Sequence, residues 1–147
     1  MNKGLILAAI GAIIAGAVVG RVFLRPAVTA PNAGVLKDAI AVPSGLPVRF
    51  HETIRDGAGG GLTYRFRFVA PSIGQIGGPG FEDVADDMAH LCTTYALPRI
   101  ANIGPQPGQI VISLADRETK FGVITEGVTQ FFESYKPENG VCIWELF

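Results

Sequence analysis

The hydrophobic pattern divides the chain into an unbroken apolar opening, a stretch rich in proline, alanine and glycine, and a body of alternating and helical periods. Residues 4–20 (GLILAAIGAIIAGAVVG) carry no charge, and the apolar run resumes as Val22-Phe23-Leu24 after Arg21. As a helix, 4–24 would span about 31 Å, close to the hydrocarbon core of a bilayer. Residues 26–47 then read as a linker with a short turn near 35–40.

The body begins with a strand at 48–54 (VRFHETI), a turn at 56–61 (DGAGGG) and the clearest strand of the chain at 62–70 (LTYRFRFVA). In the latter, Tyr64, Phe66 and Phe68 point one way and Arg65 and Arg67 the other. A loop at 71–80 precedes a helix beginning FEDVADDMAHLC, with Phe81, Val84, Ala85, Met88, Leu91, Cys92 and Tyr95 at helical spacing. Glu82, Asp83, Asp86 and Asp87 gather near its start, where the helix dipole favours acids, and Pro98 ends it or begins a second short turn. Strands are predicted at 109–116 and, more weakly, at 121–125. TQFFESY and VCIWELF flank KPENG, whose Asn139-Gly140 pair is a hairpin signal. The β-β-α-β-β-β order implies an α+β head: a small, mostly antiparallel sheet packed against one main helix. The domains are then an anchor at 1–25, a linker at 26–47 and the head at 48–147.

Charge sharpens this division. The formal net charge is −1, but the first 30 residues hold Lys3, Arg21 and Arg25 and no acid, while the remainder holds nine Lys or Arg against thirteen Asp or Glu. A mildly acidic body without a basic run argues against nucleic acid. The opening stretch is read as a transmembrane anchor, with a cleaved leader as the other reading. Its apolar core is longer than a leader needs, and the cleavage candidates are poor: Pro31 follows Val28-x-Ala30, and Ala39-x-Ala41 lies far downstream. Gly4, Ala8, Ala12, Gly16 and Gly20 recur every four residues, a stripe that would let a second copy or another membrane protein pack closely. Basic residues flank the span on both sides, so charge alone leaves its orientation open.

Few residues suggest chemistry. Asp86 and His90 are four apart on one helix, with Asp87 beside them and His51-Glu52 elsewhere, but two ligands on one face do not make a metal site. GGPG at 77–80 lacks the Lys and Ser/Thr of a P-loop, and acids follow it. Ser44, Ser72, Ser113 and Ser134 have no nucleophile-elbow context. No catalytic residue, metal or cofactor is assigned. Arg65 and Arg67 read either as a solvated strand face or as a docking patch for an acidic partner or lipid headgroups. Cys92 and Cys142 are either two buried thiols or one disulfide; a bridge from the helix's apolar side to the last strand is geometrically reasonable.

From LTYRFRFVAPSI through FEDVADDMAHLC, QIVISLADRETKFGV, TQFFESYK and GVCIWELF, the chain resembles a family of small alphaproteobacterial proteins of unknown function, over about residues 42–147. That resemblance implies an exported domain and favours a Cys92–Cys142 disulfide; it carries no activity. The resulting expectation is a single-pass inner-membrane protein with its C-terminal domain in the periplasm. It would be a non-catalytic accessory subunit docking on an energy-transducing membrane complex. A tethered module binding a small ligand or metal, and a small hydrolase, are the alternatives.

Overall fold

The two strands expected to form the first hairpin do so, as β1 (Arg49–Asp56) and β2 (Thr63–Val69), paired antiparallel. The computed structural model describes residues 38–57 and 61–146. Next comes α1 (Phe81–Leu91), followed by β3 (Gln109–Ala115), β4 (Gln130–Glu138) and β5 (Val141–Glu145). All five strands join one sheet in the order β1-β2-β3-β4-β5. Only the central β2–β3 pair is parallel. A parallel pair needs a crossover rather than a tight turn, and α1 supplies it on one face of the sheet. The expected α+β order and mostly antiparallel sheet are therefore present.

The core lies between α1 and the alternating inward residues of the strands. Tyr64, Phe66 and Phe68 of β2 and Ile110, Ile112 and Leu114 of β3 meet Val84, Met88 and Leu91 of α1, all buried. Asp83 accepts the Gly80 N–H at 2.8 Å and so occupies a donor at the helix start that would otherwise lack a partner. Regular α-helix ends at Leu91, earlier than the apolar spacing suggests. The chain widens into a π turn over Cys92–Ala96 and tightens into a 3-10 turn over Leu97–Arg99 containing Pro98. Pro98 has no N–H to continue the helix. The widened turn keeps Cys92 and Ala96 buried and brings Tyr95 against Phe50 and Phe68, with ring centroids 5.3 Å from each.

Asn139 (φ 50°) and Gly140 (φ 78°) form the turn between β4 and β5, both in the left-handed region that Asn and Gly tolerate. Two expectations are corrected. Residues 121–125 do not form a strand; they lie in an exposed loop over 116–129. Residues 38–47, assigned to the linker, are packed on the head. Val42 is buried, Ile40 bridges Val48, and Asp87 accepts hydrogen bonds from both the N–H (2.9 Å) and the hydroxyl of Ser44. The linker reading rested on composition, which does not reveal that one buried carboxylate of α1 can hold the segment down. The expected anchor and its Gly4, Ala8, Ala12, Gly16 and Gly20 stripe lie outside the described residues. Among the described residues, no helix is long and apolar enough to cross a membrane.

Candidate functional site

The sheet has a second face, away from α1. Strand register places side chains there in two rows. One runs Glu52, Arg67, Ser113, Phe132; the other Ile54, Arg65, Val111, Ser134. The aromatic alternation of β2 thus sends both arginines to this face, as the pattern predicts. Their environments differ from an open charged strand. Arg67 is only 6% exposed. Its guanidinium donates to Glu52 and to Thr119, and lies over the Phe121 ring 5.9 Å from the centroid. Its charge is spent within the fold. Arg65 is partly exposed; a carboxylate oxygen of Asp56 is 3.9 Å away, and its buried Nε has no hydrogen-bond partner among the described residues.

The 116–129 loop roofs this face. Its base is clipped shut: the Asp116 N–H donates to the Thr129 carbonyl at 3.0 Å, and the Thr129 N–H returns to the Asp116 carboxylate at 3.2 Å. Arg117 donates to the Gly127 carbonyl. Gly74 lies so close beneath Asp116 that a Cβ there would collide with the carboxylate side chain. Glu118 pairs with Arg49 of β1, and that hydrogen bond holds its carboxyl below the usual carboxylate range. With its base fixed, the loop carries Phe121, Val123 and Ile124 as exposed apolar side chains, Ile124 at 96%. Between roof and sheet is a groove of about 490 Å³, within the size range of small-ligand sites. Its floor holds Arg65, Val111 and the Ser113 hydroxyl, which accepts from Gln130 at 2.7 Å.

The sequence missed this roof. The signal was three large apolar residues around Gly122, read as a weak strand; a strand reading sends alternate side chains to a core, whereas here all three remain exposed.

The sheet's other distinctive region is the β5 edge. Cys92, at the end of α1, is bonded to Cys142 of β5, with Cα atoms 6.1 Å apart. This bridge holds a five-residue strand whose Val141, Ile143 and Trp144 are exposed, followed by Leu146 at 81% exposure. Beside it, Glu133 of β4 turns toward α1 and is 6% exposed, with one buried carboxylate oxygen that has no hydrogen-bond partner among the described residues. Burial raises its pKa above the usual value; a hydrogen bond with Trp144 offsets part of that rise, and the negative charge of Glu82 adds to it. Burial likewise raises the Tyr135 phenol, helped by Glu133 and Asp86.

The remaining candidates do not converge. Asp87 turns inward to Ser44, leaving Asp86 and His90 on α1, while Glu52 faces Arg67 across the sheet. Among the described residues no three His, Cys, Asp or Glu groups gather as a metal site. At the GGPG loop, the Asp83 carboxylate already sits on the Gly80 N–H, the place an anion would take.

A sequence model for a family of unknown function, DUF6497, matches residues 23–147. The chain belongs to this family of unknown function. The DUF6497 match spans the whole described head and begins upstream of it, so it includes the 38–47 segment that Asp87 holds. No curated protein and no solved structure matches the chain.

Proposed function

We propose that this DUF6497 protein is a non-catalytic interaction domain, tethered at a membrane by residues 1–25 and exposed to the periplasm. There it serves as an accessory subunit docking on an integral membrane, energy-transducing complex. The observation that carries this reading is the exposed apolar edge strand β5, stapled to α1 by the Cys92–Cys142 disulfide. A disulfide suits an oxidising compartment outside the cytoplasm. An edge strand offers free backbone donors and acceptors as well as Val141, Ile143 and Trp144 to a partner strand. The uncharged 4–20 stretch, with its stripe of small residues, supports a membrane protein as that partner.

Ile143→Lys tests the reading, because the side chain is exposed and the fold should tolerate it. Tagged full-length protein is isolated in mild detergent, and its intact mass reports whether residues 1–30 and the disulfide are retained. A stoichiometric membrane subunit held by the unaltered chain and lost from the Ile143→Lys variant supports docking through β5. Equal recovery with both proteins, or a mass lacking the leader with no partner, overturns it. Gly16→Leu with Gly20→Leu asks the same of the N-terminal stripe.

The groove beneath the 116–129 loop favours a second reading, a tethered module that binds a small ligand; the two readings use different surfaces.

A further inference from the structure

We infer that this groove holds a single-chain anionic amphiphile, a long-chain carboxylate of the fatty-acid class, with its head group at Lys120 and Arg65 and its chain along the apolar roof. The inference rests on the small-ligand reading above and names its ligand. Three observations lead to it.

The first is charge. Arg65, Arg67 and Lys120 line the groove. Glu52 neutralises Arg67, and Asp56 stands 3.9 Å from Arg65. Lys120 has no carboxylate partner among the described residues. Lys120 is thus the cation of this set without an ion pair, and an anionic head group is its complement. Arg65 lines the groove with a partly exposed side chain, and a guanidinium suits a planar carboxylate.

The second is shape. The roof presents Phe121, Val123 and Ile124, and Phe132 faces them from β4. These side chains leave exposed apolar surface around a 490 Å³ space, which an acyl chain would cover.

The third separates an acyl chain from a peptide. The floor is β2, β3 and β4, each flanked by paired strands on both sides. An extended peptide would find no strand edge here for its backbone groups, and leaving those groups unpaired is costly. A hydrocarbon chain has none to satisfy.

The test uses the full-length protein in phosphatidylcholine nanodiscs. The probe is a sixteen-carbon fatty acid carrying a mid-chain photoreactive diazirine; controls are its methyl ester and a phosphatidylcholine bearing the same label. Labelled peptides are mapped by mass spectrometry, with labelling of the nanodisc scaffold as background. The expected result is that the acid labels residues 111–132 about tenfold more than the ester, and that Arg65→Gln and Ile124→Asp each reduce this about tenfold. Ile124 is exposed, so that variant keeps the test alive should Arg65→Gln fail to fold; retained disulfide mass and Tm serve as checks. Equal labelling by acid and ester would mean the head group is not recognised, which overturns the fatty-acid assignment while leaving a different small ligand open. Labelling by the phosphatidylcholine probe equal to that by the acid would mean the loop merely dips into the bilayer, and also overturns it. Background labelling alone at 111–132 would overturn both the assignment and the small-ligand reading.

Discussion

Two acidic residues show how the same chemical group is put to opposite uses in this fold. Asp87 is buried, but it accepts both the N–H and the hydroxyl of Ser44. Charge-assisted hydrogen bonds of this kind are the stronger ones, and removing one side leaves the other unsatisfied. Asp87→Ala should therefore cost about 2–3 kcal/mol in denaturant unfolding and release residues 38–47 to faster hydrogen exchange. Ser44→Ala, which keeps the backbone N–H donor, should cost less. Glu133 is the reverse case, a carboxylate whose burial disfavours its charge. With the folded pKa raised, its favourable contribution is complete below the usual carboxylate value and is lost as pH rises through the folded value. Glu133→Gln should consequently raise Tm at about pH 7, and its advantage should vanish near about pH 4. A constant advantage at both pH values would rule out ionisation as the cause.

At the scale of elements, the disulfide is the clearest lever. It closes a 50-residue separation between the π turn after α1 and β5. Replacing both cysteines by serine should lower stability by about 2–4 kcal/mol in chemical denaturation. The first loss should be protection of β5 amides, since among the described residues that strand has a single neighbour in the sheet. The elements themselves were largely legible. Alternation in TYRFRF, the apolar spacing of α1 and Asn139-Gly140 each encode a local preference that the packing reinforces. What was not legible depended on distant partners. Past α1, the widened turn packs Tyr95 against Phe50 and Phe68, partners far away in the sequence. Residues 38–47 look like linker because their anchor, Asp87, is 43 residues from Ser44. The groove is harder still, since the roof over 116–129 is fixed by Asp116, Arg117 and Glu118, whose contacts no period along the chain announces. Local pattern did send Arg65 and Arg67 to one face; it did not reveal that Glu52 neutralises one of them.

The whole molecule is built asymmetrically. Among the described residues, one face of the sheet carries the core and α1, while the other carries a loop clipped at its base. That leaves the groove and the β5 edge as separate surfaces, and they should respond independently. Ile143→Lys should leave capture of the fatty-acid probe unchanged, and Ile124→Asp should leave partner recovery unchanged; loss of both activities in either single variant would show that the surfaces are coupled. The placement of the two cysteines has a further consequence, for synthesis. Cys92 leaves the ribosome 50 residues ahead of Cys142, and the chain has no third cysteine. No scrambled internal pairing exists for an isomerase to correct, so the only wrong disulfide open to a nascent molecule is a bond to a different one. Crowding during biogenesis, rather than shuffling within the chain, is then the hazard this protein faces before β5 docks.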